Sequence, residues 1–175
     1  MVETLEKHEM DIREFLARGP FGLHIRDKTQ MRILLTAFTH NSFIEEYNRK
    51  SMAKLESYQR LEFLGDAVLE YLVCDEAYRM GSLLDEGQMT NDFKQKAVAN
   101  RSIAKYLRDA GVDIGGHILL GNSFSAKEGG NQVTDDMVAD VFEAFVAALY
   151  LTFGMECARS LVDRIILGPL KRTLG

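Results

Sequence analysis

Apolar residues recur along most of the chain at intervals of three and four positions, the spacing of one buried helix face. The longest such stripe contains Leu61, Leu64, Val68 and Leu72, and it predicts a helix from about Tyr58 to Met80. The chain has only two prolines, and runs of the β-branched residues typical of strands are few. We therefore expect an all-α protein.

The same pattern, together with capping and stop residues, predicts the other elements. The further predicted helices cover about 3–18, 29–39, 87–99, 101–110, 134–151 and 155–166. Asp27 and either Thr134 or Asp135 are the expected N-caps, and glycine or Gly-Pro pairs end several of the helices. Residues 45–57 are predicted to be a loop with ragged helical ends, and residues 115–132 a mobile loop rich in Gly, Ser and Asn. No internal repeat is visible, so we predict one helical domain over residues 1–175.

Composition is that of a soluble globular protein, with 46% hydrophobic and 27% charged residues. The charged N-terminus lacks the apolar core of a signal peptide, and no apolar stretch approaches the ~20 residues that span a bilayer. Cys74 and Cys157 lie in apolar helical patterns without a CxxC pair or a Cys/His cluster, so we expect two buried, reduced thiols rather than a zinc site. These features predict a cytoplasmic protein without a membrane partner.

The formal net charge of −5 argues against a protein that holds nucleic acid by overall positive charge. It leaves nucleic acid open as a partner, because bound divalent cations can offset local acidity and basic residues can cluster.

Two acidic pairs are the candidate chemistry. Glu62 and Asp66 are four positions apart in the long helix and so share a face, where two like charges destabilise an isolated helix by a few tenths of a kcal/mol. Gly65, between them, costs roughly another 1 kcal/mol in a helix interior. Asp140 and Glu143 are three apart and are nearly the only charges in a strongly apolar run.

Convergence of the two acidic faces would place four carboxylates together. Such a cluster needs protons or cations, and hard oxygen ligands suit Mg²⁺ or Mn²⁺. The alternative is that each pair is only the solvated face of a helix. Spacing and composition alone leave both interpretations open.

Several segments carry a resemblance to one family. The run from Gln59 to Leu69, QRLEFLGDAVL, closely resembles the signature helix of the ribonuclease III family, usually ERLEFLGDAVL. The segments 39–43 (THNSF) and 99–104 (ANRSIA) resemble its TH-x-S-[FY] and V-x-N-x-x-L-A elements. Asp140-Val141-Phe142-Glu143-Ala144, followed by residues 147–150 (AALY), is similar to its D-x-x-E-A…A-x-Y element. The resemblance covers roughly residues 20–165 in the family's order and spacing.

This resemblance implies a helical endonuclease domain whose catalytic and metal-binding residues are Glu62, Asp66, Asp140 and Glu143. The family's metal is usually Mg²⁺, for which Mn²⁺ may substitute, and it activates a water that attacks a phosphodiester of double-stranded RNA. Glu143 and Asp66 are expected to be the most direct ligands, with Glu62 and Asp140 completing the shell. The resemblance also implies a homodimer with one site per strand, short 3′ overhangs and a role in RNA processing.

Five further residues are candidates for substrate or dimer contacts: Gln59, Phe63, Asn100, Lys94 and Lys96. Gln59 replaces the acid that usually begins the signature. Phe63 by itself suggests a core residue, whereas the resemblance implies a dimer contact and would explain Gly65 as a place of close backbone approach within that dimer.

The basic residues and one histidine have plainer interpretations. A basic stretch across two helices favours a solvated face, with phosphate contact as the alternative, and Lys127 in the Gly-rich loop is interpreted in the same way. His40 is expected to be a hydrogen-bonded structural histidine rather than a general base. The basic stretch comprises Lys94, Lys96, Arg101, Lys105 and Arg108.

Two other functions are alternatives to the enzyme. A non-catalytic dimerisation or scaffold module of a ribonucleoprotein would be expected to lack part of the acidic set, and a di-iron bundle would need Glu-x-x-His pairs, which the sequence does not contain. The double-stranded RNA-binding domain that often follows this catalytic domain is not found in the chain. We therefore expect this chain alone to bind RNA weakly and with strong salt dependence.

Overall fold

The computed structural model describes residues 2–18, 20–125 and 132–174, and it confirms the all-α prediction. In this part of the chain the only β-type pairing is an isolated bridge between Thr39 and Leu119. The helices are α1 (Val2–Ala17), α2 (Lys28–Ala37), α3 (Asn41–Lys50), α4 (Gln59–Arg79), α5 (Gln95–Val98), α6 (Asn100–Asp109), α7 (Asn122–Ser125), α8 (Asp135–Phe153), α9 (Met155–Val162) and α10 (Gly168–Leu174). Short 3₁₀ turns (Gly81–Leu83, Gly115–His117) and π turns (Gln88–Lys94, Asp163–Leu167) join some of them.

Helix α8 is the centre of the fold. Every residue from 141 to 149 is buried, because this run is apolar on nearly all sides and must be surrounded by other helices. Helices α2, α4, α6 and α9 pack around it. The predicted cap is confirmed, since the Met137 amide donates to Thr134 Oγ1 at 3.2 Å, and the helix ends before Gly154, whose φ is +86°.

Helix α4 packs against α8, and its buried side is formed by Gly65 and the apolar residues that follow it. A Cβ on Gly65 would lie 1.8 Å from the carbonyl oxygen of Glu143, so only glycine lets the two backbones come this close. The reason for Gly65 therefore lies within the chain and not at the dimer contact that we expected.

The segment predicted as a loop with ragged helical ends over 45–57 is helical as far as Lys50 and irregular from 51 to 57. Helix α3 runs to Lys50, although its later residues are polar, because Phe43 and Ile44 are buried and anchor its first turn. His40 caps this helix, accepting from the Ser42 amide at 3.1 Å.

Two other boundaries also differ from the prediction. The last helical run does not end near Gly168-Pro169 but continues through the π turn into α10, where Pro169 occupies the first turn and needs no intrahelical donor. The stretch 115–132 includes two short helical turns and the bridging Leu119, whereas residues 126–131, with Lys127, lie outside the described part.

The two cysteines are free thiols, but the expectation that both are buried is wrong. Cys74 is exposed on α4 and Cys157 is half-buried on α9. Among the described residues, no helix is both long enough and apolar enough to cross a membrane.

Candidate metal centre

The contact between α4 and α8 brings acidic side chains of both helices together. Glu62, Asp140 and Glu143 each place a carboxylate oxygen within 4.8 Å of the other two. Glu62 lies one turn before Gly65 on α4, and the backbone that Gly65 touches is that of Glu143. The close helix approach thus positions the cluster directly, and it brings together three of the four carboxylates of the two acidic pairs.

Burial and the charges of nearby carboxylates raise the pKa values of all three carboxyl groups, and for Asp140 the nearby charge is that of Asp136. Glu143 is only 7% exposed, and burial, followed by the charges of Asp66, Asp140 and Glu62, raises its pKa to about 8. The pKa values of Glu62 and Asp140 are also raised, in both cases mainly by burial and then by neighbouring carboxylates. Three like charges held in this way favour protons or a cation.

Asp66 differs from the other three predicted residues. It is exposed and is not among the side chains that share the 4.8 Å cluster, although its charge contributes to the raised pKa values of Glu143 and Glu62. We predicted Glu143 and Asp66 as the most direct ligands, whereas the structure groups Glu143 with Glu62 and Asp140. Asp66 lies at the edge of the cluster.

The geometry of the cluster fits a small divalent cation. In an octahedral Mg²⁺ site with metal–oxygen distances of about 2.1 Å, adjacent ligands are ~3.0 Å apart and opposite ligands ~4.2 Å apart. The three oxygens, which lie within 4.8 Å of one another, could therefore close around one such ion by side-chain rotation. All three donors are hard carboxylate oxygens, and in the described part of the chain no histidine joins them. This donor set suits Mg²⁺ or Mn²⁺ better than zinc or a di-iron centre.

Tyr58 is a site residue that sequence reasoning treated only as the start of a helix. It is 4% exposed, and its hydroxyl donates to Asp140 Oδ2 at 3.5 Å. Burial and the charges of Asp140 and Glu62 raise the pKa of this phenol well above its usual range, so it keeps its proton. The available signal was its place four residues before Glu62, on the same face of the first turn.

The candidate substrate and dimer residues do not join the carboxylate cluster. Gln59 is exposed at the start of α4 and accepts from Ser57 Oγ at 3.3 Å. Phe63 is 82% exposed, so it is not a core residue of this chain. Asn100 donates to Asp136 Oδ1 at 3.1 Å, which ties the start of α6 to the start of α8.

The basic stretch is mostly engaged in ion pairs with nearby acids. Lys94 pairs with Glu70 of α4, and the charge of Asp66 also helps to raise the pKa of Lys94, so this lysine lies beside the acidic face. Lys96 pairs at 3.2 Å with Asp92, four positions earlier in the chain. Lys105 and Arg108 are paired with Asp109 and Asp135, whereas Arg101 forms no ion pair among the described residues. This arrangement supports the solvated-face interpretation for most of the stretch.

His40 is hydrogen-bonded, as predicted. Its Nδ1 lies 2.8 Å from Ser42 Oγ, and burial lowers its pKa. Its backbone amide donates to the Leu119 carbonyl at 3.0 Å, and the Thr39 carbonyl accepts from the Tyr58 amide at 3.0 Å. The 39–43 segment therefore holds the start of α4 in place.

Comparison with known proteins identifies relatives over most of the chain. Residues 30–170 match the Ribonuclease-III-like family. The chain is 34% identical over 138 residues to a Ribonuclease 3 of Bacillus cereus, covering 79% of this chain, and 32% identical over 163 residues to a Ribonuclease 3 of Bacillus anthracis, covering 92%. The chain spans 53% and 62% of the length of these two relatives.

Solved structures show the same fold. The nuclease domain of Ribonuclease III from Campylobacter jejuni aligns with a TM-score of 0.64 and 26% identity, over 96% of this chain and 95% of that chain. A second structure of that domain, described as flexible in a region involved in dimer formation, has the same TM-score at 24% identity and covers 96% of this chain and 97% of that one.

Proposed function

The chain belongs to the ribonuclease III-like family, and from that membership together with its carboxylate cluster we propose that it is a divalent-metal-dependent endoribonuclease. The observation that carries the proposal is the convergence of Glu62, Asp140 and Glu143 at the contact of α4 and α8. Its substrate would be double-stranded RNA, and its metal Mg²⁺, with Mn²⁺ able to substitute.

The four acidic residues have distinct parts in this proposal. Glu62, Asp140 and Glu143 would hold the cation, with Glu143 giving up its proton when the cation binds. Asp66, exposed at the edge of the cluster, would accept hydrogen bonds from water that faces the RNA. When bound, the metal supplies charge neutralisation for the phosphate and lowers the pKa of a water that attacks the phosphodiester.

A homodimer is part of the proposal, supported by the surface around the first turns of α4. Phe63 is 82% exposed, and the same turns contribute Leu61 and Leu64 to a groove of about 500 Å³ that also includes Ile33 and Leu151. Charged residues, among them Arg32, Lys54 and Arg60, also line this groove. A projecting aromatic near a groove of this mixed character is suited to a two-fold contact in which each copy fills the other's groove. Two sites in one dimer would cut both strands of a duplex and leave short 3′ overhangs.

The setting of the reaction follows from the same features. A chain with a formal charge of −5 has little long-range attraction for RNA, so we expect weak and salt-dependent binding by this chain alone. Two free thiols, one of them exposed, suit a reducing compartment such as the cytoplasm. RNA processing is the general role that we propose.

The direct test is cleavage of a generic duplex RNA with Mg²⁺ and with EDTA. Wild type should cleave only with Mg²⁺, and Glu143→Ala and Asp66→Ala should each lose most of the activity. Glu156→Ala removes an exposed carboxylate far along the chain on α9 and serves as the matched control, with activity unchanged. Full activity of Glu143→Ala would overturn the site assignment, and duplex binding without cleavage by wild type would favour a non-catalytic scaffold module instead.

A further inference from the structure

Tyr58 is buried beside the acidic cluster and contacts one of its members by a hydrogen bond. Its hydroxyl donates to Asp140 Oδ2 at 3.5 Å. Among the described residues, it is the only donor to any of the three clustered carboxylates, which otherwise face one another. The hydroxyl is therefore the one protein donor in the described part of the chain that offsets the charge of Asp140.

The Tyr58 ring is held in place from several directions. It is 4% exposed, its backbone amide donates to the Thr39 carbonyl at 3.0 Å, and its ring lies 5.7 Å from the His40 ring, centroid to centroid. His40 is in turn fixed by Ser42 and by the Leu119 carbonyl. A donor held this firmly costs little additional ordering when its acceptor binds a ligand.

We propose that Tyr58 is a positioning residue that orients the Asp140 carboxylate for binding a divalent cation in the cluster. The inference rests on the proposed function and assigns to this chain a supporting contact at the start of α4, one turn before Glu62.

The physical reason lies in the repulsion among the clustered carboxylates, to which the nearby charge of Asp136 adds at Asp140. Without a fixed partner, the Asp140 side chain can relieve that repulsion by rotating away from Glu62 and Glu143, and it must be brought back before a cation can bind. A hydroxyl that donates to one of its oxygens limits this rotation. The 3.5 Å separation is long for such a bond, and contacts of this kind often tighten only when the ligand is bound.

The test compares Mn²⁺ binding, measured by electron paramagnetic resonance of the free ion, in wild type, Tyr58→Phe and Tyr78→Phe. Tyr58→Phe keeps the buried ring and removes only the hydroxyl, and Tyr78→Phe makes the same change at an 81% exposed position of the same helix. We expect Mn²⁺ affinity to fall about tenfold in Tyr58→Phe, at the lower end of the range for contacts behind a metal ligand, and to stay unchanged in Tyr78→Phe.

A double-mutant cycle identifies the route of the effect. If Tyr58 acts through Asp140, adding Tyr58→Phe to Asp140→Asn should cause no further loss of affinity. A further tenfold loss in that background, or wild-type Mn²⁺ affinity in folded Tyr58→Phe, would overturn the inference. Site-specific replacement of Tyr58 by 3-fluorotyrosine keeps both ring and hydroxyl and makes the hydroxyl a stronger donor. This protein should bind Mn²⁺ at least as tightly as wild type. Weaker binding by the folded protein would count against the inference.

Failure of this inference can be separated from failure of the proposed function. If wild type binds Mn²⁺ and cleaves duplex RNA while Tyr58→Phe binds equally well, only the role of Tyr58 is lost. If wild type does not bind Mn²⁺, both fall. A purely structural role would lower the melting temperature of Tyr58→Phe without a change in Mn²⁺ affinity, and this result would also overturn the inference.

Discussion

Replacing Glu143 by glutamine should make the metal-free protein more stable, although the residue is central to the proposed site. Glu143 is 7% exposed, and burial beside three other carboxyl groups raises its pKa from 4.5 to about 8. Glutamine resembles the protonated acid in size and shape and carries no charge at any pH. The substitution therefore removes the free-energy cost of holding an acid away from its ionised state.

The size of the effect follows from linkage between protonation and folding. Between pH 4.5 and 8 the unfolded chain releases the Glu143 proton while the folded chain keeps it, so the folded state loses stability as pH rises. Each pH unit in this window costs about 1.4 kcal/mol. At pH 7 the difference is about 3 kcal/mol, which for a protein of this size corresponds to a rise in melting temperature of roughly 6–12 °C for Glu143→Gln.

The assay is thermal unfolding followed by circular dichroism, in EDTA, from pH 4.5 to 8.5. The stabilisation of Glu143→Gln should be near zero at the lowest pH, grow up to pH 8 and then level off. Glu156→Gln, at an exposed position, is the control and should follow wild type at every pH. A Glu143→Gln protein that is no more stable than wild type at pH 7, or a difference that does not change with pH, would refute the reasoning. With saturating Mg²⁺ the advantage should shrink or reverse, because wild type gains the free energy of metal binding.

Three further predictions concern metal binding, helix packing and the dimer. The Mn²⁺ affinity of wild type should rise by up to about tenfold per pH unit between pH 6 and 8, because the raised pKa of Glu143 means that a proton must leave when the ion binds. Affinity that does not change with pH in titration calorimetry would contradict this. Gly65→Ala should destabilise the protein by about 1–3 kcal/mol or more in chemical unfolding, because its Cβ would lie 1.8 Å from the Glu143 carbonyl oxygen. Gly87→Ala is the control and should be nearly neutral, because a Cβ there would be near only a side-chain oxygen. Equal effects of the two substitutions would refute the packing argument. Phe63→Ala should weaken dimerisation by about 2 kcal/mol in sedimentation analysis. Leu83→Ala, at an equally apolar position that is 75% exposed, is the control and should leave dimerisation unchanged. Weaker dimerisation in both variants, or in neither, would count against the proposed interface.

The helices could be predicted where periodicity and capping agreed. The apolar run of α8, its Thr134 cap and the apolar stripe of α4 can be predicted from the sequence, since each depends on residues close together in the chain. Helix α3 and the continuation into α10 were missed because burial of their own apolar side chains, Phe43 and Ile44 in α3 and Leu170 in α10, stabilises them against an unfavourable local composition.

The candidate site could be predicted only in part, because it also depends on contacts between residues far apart in the chain. The i, i+3 and i, i+4 spacings place each acidic pair on one face, and the structure brings three of the four carboxylates into one cluster. That Asp66 lies at the edge, and that Tyr58 reaches Asp140, depends on how α4 crosses α8. A crossing is set by contacts between distant residues, and no spacing along one helix specifies it.

Gly65 is linked both to the destabilisation of the metal-free cluster and to its proposed binding of a metal ion. Gly65 lets the backbone of α4 approach that of α8 at Glu143, and this places a buried carboxyl group beside two others. In the metal-free protein the pKa values of Glu143 and Glu62 are therefore raised. A cation that satisfies these groups removes the same destabilisation that the protons otherwise relieve, so metal binding and folding stability are linked through one helix contact. Since separating the helices would relieve the repulsion but also disperse the ligands, close packing at Gly65 is the feature on which both the instability of the metal-free cluster and its affinity for metal depend.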